Sequence, residues 1–300
     1  MIRPFSALLL AAALALPALS GPARAEPMPV VATFSILGQI AETIGGDKVR
    51  VQTLVGPDRD AHVYQPTPQD SRVLAEARVV LVSGLGFEGW IERLVKASGT
   101  KAQIVVATRG IPTRKMAGAH GHGSGVDPHV WHDPKRMAAY ARNLAEGLAA
   151  ADAANAEAYR ASSAAFIGRL EAMDAWAEAE FAKVPAAKRK VITTHDAFGY
   201  LAERYKLTFR SPRGVTTDAE PSAKGTAQLI DQIRAEKIKA VFVENITDRR
   251  MIDQLAKEAG AAVGGRLYSD ALSAADGPAA TYEALFRHNV SLLTSGMLQN

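Results

Sequence analysis

The chain has 300 residues, of which 48% are hydrophobic, 35 are basic and 31 are acidic, and it contains no cysteine. This charge balance argues against a protein that binds nucleic acid or a membrane surface. The absence of cysteine excludes disulfides, thiolate metal ligands and cysteine nucleophiles.

Residues 1–25 have the features of a secretory signal peptide. Arg3 precedes an apolar run from Ala7 to Leu19, and Ala23 and Ala25 are placed as the small residues of a cleavage site. The run is shorter than the roughly 20 residues that a membrane-spanning helix needs. We therefore expect cleavage after Ala25 and export to a Gram-negative periplasm. Without cysteine there is no thiol for a lipid thioether, so we expect no lipid anchor.

The mature chain opens with strands and helices in alternation. Val30–Thr33 and Val49–Val55 are predicted strands, and Leu37–Ile44 between them carries apolar residues at helical spacing. His62 lies in the loop after the second strand, which is where open α/β sheets bind ligands. Thr67 is a good N-cap for the helix that begins where this loop ends.

A second strand-and-helix pattern completes this half. Val79–Ser83 and Ile104–Ala107 are predicted strands on either side of a helix. Phe87 and Trp90 are spaced as core residues before that helix. Glu88 between them is a ligand or base candidate, although a place in the turn is the favoured interpretation.

Histidines are concentrated just before the middle of the chain. The loop 113–125 has no hydrophobic periodicity and carries His120 and His122 among glycines, which fits either a disordered connector or a loose metal-collecting arm. The stretch DPHVWHDP that follows holds His129 and His132, each near an acid and a proline. Imidazole is the commonest protein ligand of metals, and proline stiffens the backbone around it. These histidines therefore indicate a metal site, with ordinary surface residues as the alternative.

Two helices are predicted next, over Lys135–Leu148 and Ala153–Lys183, with Asp152 as the cap of the second. At about 1.5 Å per residue the second helix spans about 45 Å, more than a small domain needs. We expect it to cross between two lobes. A coiled coil is disfavoured because large apolar residues show no sustained heptad.

The second half repeats the pattern of the first. Strand Lys190–Thr194 ends at His195, and strand Ala262–Tyr268 ends just before Asp270. Helices are predicted from Pro221 to Glu236, from Asp248 to Ala259 and from Ala279 to Leu298, with a further strand over Ala240–Glu244. His195 and Asp270 thus occupy positions like that of His62.

The predicted fold class is α/β, with two βα-type lobes whose central sheets are flanked by helices and joined by one long connecting helix. We assign residues 26–134 to an N-terminal lobe, 135–185 to connecting helices and 186–300 to a C-terminal lobe. A tetrahedral zinc site needs four nitrogen or oxygen ligands, and His62, His129, His195 and Asp270 supply one such set. His132 is either an alternative to His129 as a metal ligand or a residue that hydrogen-bonds one of the ligands without contacting the metal.

Six motifs of the chain resemble those of the cluster A-I solute-binding proteins, the metal receptors of ABC importers. They are PDRDAHVYQPTPQD at 57–70, DPHVWHDP at 127–134, THDAFGYLAERY at 194–205, AEPSAK at 219–224, FVEN at 242–245 and YSDALS at 268–273. The resemblance covers nearly the whole mature chain, and the four motifs that resemble the family's ligand loops, at 57–70, 127–134, 194–205 and 268–273, occur in the family's order.

This resemblance implies that His62, His129, His195 and Asp270 bind the metal. Manganese-preferring members usually have a carboxylate at the third position, so His195 favours zinc, with manganese or iron as the alternative. The resemblance also implies a periplasmic receptor, expected to be monomeric, that delivers Zn²⁺ to a permease and its ATPase. A metallochaperone is a further possible partner, and Glu220 a possible support for the site.

Two other classes of protein remain open at this stage. A zinc hydrolase would use His62, His129 and His195 as ligands and Glu88 or Glu220 as the base, although the sequence has no HExxH motif. An adhesin would share the fold. Replacing Asp270 by alanine separates a receptor, which loses metal affinity, from an enzyme in which Asp270 plays no part.

Overall fold

The computed structural model describes residues 26–115, 125–218 and 221–300. Within these ranges two four-stranded parallel sheets form the centres of two α/β lobes, as the sequence predicts. The predicted signal peptide, His120, His122 and Glu220 lie outside the described residues.

The first lobe contains a sheet with the strand order β2-β1-β3-β4. Its elements are β1 (Met28–Phe34), α1 (Ser35–Gly45), β2 (Val49–Val55), α2 (Pro68–Glu76), β3 (Val79–Val82), α3 (Ile91–Ser98) and β4 (Gln103–Val106). The central strand β3 reads VVLV and is buried throughout, because helices cover both faces of a parallel sheet. The edge strand β2 instead alternates between exposed and more buried residues over most of its length.

The second lobe contains a sheet with the strand order β6-β5-β7-β8. Its elements are β5 (Lys190–Ile192), α6 (Gly199–Tyr205), β6 (Thr208–Arg210), α7 (Ala223–Glu236), β7 (Val241–Glu244), α8 (Arg249–Ala259), β8 (Val263–Leu267) and α9 (Tyr282–Leu298). The edge strand β6 was not predicted, because its three residues TFR offer no apolar run.

The connecting helices are α4 (Pro134–Ala151) and α5 (Ala156–Ala182). At 27 residues α5 is about 40 Å long. It packs against α4, against α1 of the first lobe and against α9 of the second lobe. Its predicted start at Ala153 is wrong, because a 3₁₀ turn occupies 153–155. The Asp152 carboxylate accepts hydrogen bonds from the side chains of Asn155 and Tyr159 and does not cap α5.

One hydrophobic core runs through both lobes. It includes β1 and β3 of the first lobe, the inner face of α5, and Phe286 and Leu293 of α9 in the second. A smaller cluster lies under α7 and α8, around Ile230 and Ile252. None of the helices in the described ranges is long and apolar enough to cross a membrane. The segments that follow β2, β5 and β8 bring candidate ligands from both lobes close together.

Candidate metal centre

His62 lies on an exposed loop between β2 and α2. Its backbone N–H donates to the Asp60 carboxylate at 2.8 Å, which forms a tight local turn. At the end of the loop Thr67 and Asp70 cap each other's backbone N–H groups, as the sequence predicts for this helix start. The His62 side chain is only 2% exposed, and its ring lies 4.7 Å from that of Phe87.

His129 is held by the aspartate two positions before it. Asp127 Oδ1 accepts from the His129 backbone N–H at 3.0 Å and lies 2.8 Å from ring Nδ1. The other oxygen of Asp127 accepts from Arg114 at 2.7 Å. Because Nδ1 faces a carboxylate, the second ring nitrogen, Nε2, faces the other candidate ligands and carries the lone pair when the imidazole is neutral. Gly199 makes this arrangement possible, since a Cβ there would lie 1.5 Å from the Arg114 guanidinium.

His195 follows β5 and has a comparable carboxylate behind it. Glu244, the last residue of β7, accepts hydrogen bonds from the backbone N–H groups of Thr194 at 2.8 Å and His195 at 2.9 Å. Its other oxygen faces His195 Nδ1. Both residues are fully buried, so the carboxylate fixes the ring and directs Nε2 toward the cleft.

Asp270 follows β8 and is fully buried. Its segment is fastened to the first lobe on both sides, because Trp131 Nε1 donates to the Ser269 carbonyl at 2.8 Å and the Leu272 N–H donates to Ser35 Oγ at 2.9 Å. These bonds hold the carboxylate in the cleft.

The four side chains converge on one point. Asp270 Oδ2 lies 3.1 Å from His62 Nε2 and 3.2 Å from His195 Nε2, and Oδ1 lies 3.5 Å from His129 Nε2. The Nε2 atoms of His62 and His129 are 3.3 Å apart, and one ligand atom from each of the four residues lies within 4.8 Å of all the others. Four ligands at zinc distances in a tetrahedron are about 3.3–3.6 Å from one another. The observed spacings fit such an ion.

The unsatisfied polar atoms of this cluster also fit a cation. Both oxygens of Asp270 and Nε2 of His195 are buried and have no partner in hydrogen-bond geometry among the described residues. Buried polar atoms without partners are costly, and a metal ion between them would satisfy all three at once.

The electrostatics of the metal-free site favour a charged network. Burial opposes ionisation of Asp270, but the charges of His129 and His195 hold its pKa well below the usual value. Burial likewise opposes the charged form of His129, yet Asp270 and Asp127 raise its pKa to about 9. Against burial, Glu244 and Asp270 raise the pKa of His195 well above its usual value. Protons therefore compete with a metal for the imidazoles.

The carboxylates behind His129 and His195 would also balance the charge of a divalent ion held by the four side chains. With three neutral imidazoles and Asp270, such an ion carries a net charge of +1, which is expensive to bury alone. Despite burial, the pKa values of Asp127 and Glu244 are lowered, by His129 and His195 respectively, so both are anionic. Arg114 offsets one of these charges. The complete site with the ion is then close to neutral.

The other candidates from the sequence lie apart from this cluster. His132 is buried beside Phe198, with ring centroids 4.5 Å apart, and its Nε2 has no hydrogen-bond partner in the described ranges. Burial, together with nearby His129, lowers its pKa to about 3. Its assignment as a support for the ligands stays a prediction.

Glu88 lies in the predicted turn, and its carboxylate is fully engaged there. It accepts hydrogen bonds from Thr33 Oγ1 and the Ser83 N–H, each at 2.6 Å, and from the Gly84 N–H at 3.1 Å. Phe87 and Trp90 are core residues, as predicted. Glu88 is not part of the cluster of possible metal ligands in the described chain.

Comparison with known proteins identifies the family. The family model for ZnuA, described as zinc-uptake complex component A, periplasmic, matches residues 30–296. The chain belongs to the ZnuA family. This makes it a periplasmic metal-binding receptor of the ABC importer type, a class of binding proteins rather than enzymes that works with a permease and an ATPase.

Relatives of this ZnuA-family chain carry several metals in their names. The chain is 33% identical to the manganese-binding lipoprotein MntA of Bacillus subtilis over 283 residues, covering 93% of this chain and 92% of MntA. It is also 33% identical to the iron-binding protein YfeA of Yersinia pestis over 278 residues, covering 92% and 88%.

Solved structures share the fold over nearly their whole length. The periplasmic zinc binding protein TroA of Treponema pallidum superposes with a TM-score of 0.84 at 26% identity, covering 90% of this chain and 99% of TroA. A manganese-bound periplasmic metal binding protein of Candidatus Liberibacter asiaticus gives a TM-score of 0.80 at 28% identity, with the same coverage. The metal that a family member carries therefore needs an argument from the site itself.

Proposed function

We propose that this protein is a zinc receptor that captures Zn²⁺ with His62, His129, His195 and Asp270 and delivers it to an ABC importer. The observation that carries the proposal is the convergence of three imidazole nitrogens and one carboxylate oxygen, which all lie within 4.8 Å of one another. A nitrogen-rich four-coordinate set suits zinc, whereas manganese favours more oxygen ligands.

A manganese or iron receptor of the same architecture is the second candidate, supported by the names of MntA and YfeA. The two candidates differ in which ion the site retains under competition. Purified protein stripped of metal is exposed to equal concentrations of Zn²⁺, Mn²⁺ and Fe²⁺, without oxygen, and its bound metal is measured by elemental analysis. The zinc proposal expects one zinc per chain and only traces of the others. A chain that retains mainly manganese or iron would overturn it.

A catalytic zinc site is disfavoured by the position of Asp270. A hydrolase keeps one coordination position open for water, whereas here a fourth protein ligand lies 3.1–3.2 Å from two of the histidine nitrogens. We expect Asp270→Ala to lower zinc affinity strongly, as a receptor requires. Unchanged affinity in this variant would support the enzyme alternative, and the variant His288→Ala, which changes a histidine outside the cluster, provides the control.

A further inference from the structure

The loop 56–67, which we call the His62 loop, is the most exposed segment of the metal site. His129, His195 and Asp270 are fully buried, whereas most residues of the His62 loop are exposed. The Nδ1 atoms of His62 and His195 are both buried without a partner in hydrogen-bond geometry among the described residues, but His195 Nδ1 faces the Glu244 carboxylate, as His129 Nδ1 faces Asp127. His62 Nδ1 lies beside no such carboxylate in that part of the chain. The His62 loop therefore needs other fastenings to stay over a bound ion.

Asp58 fastens the His62 loop to the opposite lobe through three hydrogen bonds. Its N–H donates to the Leu272 carbonyl at 2.9 Å, and its carboxylate accepts from Asn245 Nδ2 at 2.9 Å and from the Ala274 N–H at 3.3 Å. Leu272 lies two residues after Asp270, and Asn245 directly follows Glu244, which holds His195. One exposed aspartate thus joins the segments that carry or support three of the ligands.

The backbone of Asp58 indicates that these contacts matter. Its φ is +54°, in the left-handed region that is unfavourable for most residues and that aspartate tolerates better than most. Such a conformation persists when surrounding contacts hold it. At Asp58 those contacts come from the second lobe.

A neighbouring aspartate makes a second contact across the cleft. Asp60 Oδ1 accepts from the His62 N–H, and its Oδ2 accepts from the Thr217 hydroxyl of the second lobe. Both aspartates precede His62 on the same loop and bond to the second lobe. The His62 loop is also held to the first lobe, because Ala61 lies in the core and Trp90 Nε1 donates to its carbonyl at 2.8 Å. Asp58 and Asp60 add the fastening to the second lobe.

We propose that Asp58 is a positioning residue, a latch that holds the His62 loop closed over the bound ion and slows its release. The latch rests on the proposed function of His62 as a metal ligand. Asp58 is not one of the four residues of the cluster. It therefore affects metal binding only through the time that His62 spends in its binding position. Its loss should therefore raise the dissociation rate of the metal more than it changes the association rate.

The test compares Asp58→Ala with the wild-type protein and with Asp231→Ala, which removes an exposed aspartate on α7. Zinc release is followed by stopped flow with an excess of a coloured chelator, and association is measured separately with limiting zinc. Losing two carboxylate hydrogen bonds should accelerate release about tenfold in D58A. Association should stay within about twofold, and D231A should behave as wild type. The unfolding temperature of the metal-free protein should change little.

Two further variants separate the carboxylate from the backbone. Asp58→Gly keeps the left-handed conformation and the N–H donor but lacks the carboxylate, so its release should be as fast as that of D58A. Asp58→Asn keeps one acceptor oxygen and should fall between D58A and wild type. In the D58A background, Asn245→Ala should raise the release rate by a smaller factor than it does in the wild-type protein, because the two residues share one contact.

The latch is overturned if D58A releases zinc within twofold of the wild-type rate, or if D58G does so. Fully additive effects of D58A and N245A would also contradict it. These results leave the proposed function intact, because the wild-type protein would still bind one zinc. A wild-type protein that binds no zinc would instead overturn both.

Discussion

Two buried carboxylates determine how the imidazoles of this site behave. Asp127 and Glu244 face the Nδ1 atoms of the proposed ligands His129 and His195 and accept the backbone N–H of these residues. They orient the rings with Nε2 toward the other candidate ligands, and they would supply negative charge beneath a divalent ion bound as proposed. The chemistry of the centre is thus set by six residues rather than four.

Asp127→Asn tests this role directly. The amide keeps the size of the side chain but removes the charge that His129 and Arg114 contact, so we expect zinc affinity to fall about 10- to 100-fold. Competition titration with a chelator of known affinity measures the change. Asp231→Asn, on the exposed face of α7, is the matched control. An affinity of D127N within twofold of wild type would contradict the role given to Asp127.

The stability of the metal-free protein should depend on pH through His129. Its pKa is raised to about 9 in the folded state, against about 6.5 when unfolded. The protonated imidazolium therefore stabilises the fold fully below about pH 6.5, and this stabilisation is lost as the pH rises through about 9. We expect urea unfolding of metal-free protein to show a loss on the order of 2 kcal/mol between pH 6.5 and 9.

Zinc should reverse this trend. The ion binds only the neutral imidazole, so the extra stability that it gives should grow over the same pH interval. His129→Ala lacks the titrating group and should show a flatter profile in the metal-free state. A metal-free wild-type protein that gains stability from pH 6.5 to 9 would contradict the charge network described above.

The four candidate ligands could be predicted from the sequence, whereas the two carboxylates behind them could not. The four that converge each follow a strand or a motif rich in histidine, aspartate and proline, so their chemistry and position both pointed to a metal. Glu244 stands in the quoted FVEN motif, but it ends a buried strand, and nothing in the sequence places it behind His195. The role of Asp127 is indicated in the sequence only by its position two residues before His129. The same Asp-x-His spacing occurs at Asp60 and His62.

Among the elements, the first residues of two helices were predicted wrongly, because hydrophobic periodicity does not show which side chain caps a helix. The predicted helix from Pro221 begins two residues later, after the Ser222 cap, and the predicted helix from Ala279 begins only after the Thr281 cap. In both places a side-chain oxygen accepts a backbone N–H at the true start. Strand β2, by contrast, has the predicted bounds because its alternation ends at a glycine.

Two helical glycines give a matched test of how these elements pack. Gly147 of α4 is buried, and a Cβ there would lie 2.5 Å from Val105 of β4, whereas Gly168 of α5 is exposed and has open space around it. We expect Gly147→Ala to lower the free energy of unfolding by about 1–3 kcal/mol through overpacking. Gly168→Ala should raise it by about 0.5–1 kcal/mol, because alanine favours a helix.

Urea denaturation of the two glycine variants at fixed metal content measures both changes. The opposite signs are the essential result, since both substitutions add one methyl group to a helix. Stabilisation by G147A would show that α4 does not pack on β4 as closely as described.

Across the whole molecule, one hydrophobic core joins the two lobes through α5 and α9. Such a core resists wide hinge motion, because separating the lobes would expose buried apolar surface. Local movement of the His62 loop is the cheaper way to admit and release an ion. The sequence predicted the two lobes and the long helix from repeated strand and helix patterns, but the extent of the shared core depends on long-range contacts that no local pattern reveals.

The most direct test of the account is X-ray absorption spectroscopy at the zinc edge on protein loaded with one zinc per chain. We predict a four-coordinate ion with three imidazole nitrogens at about 2.0–2.1 Å and one carboxylate oxygen at about 2.0–2.2 Å. Asp270→Ala should replace that oxygen by water or lose the ion. A six-coordinate shell made mainly of oxygen, or fewer than three imidazoles, would contradict the convergence of His62, His129, His195 and Asp270 on one metal.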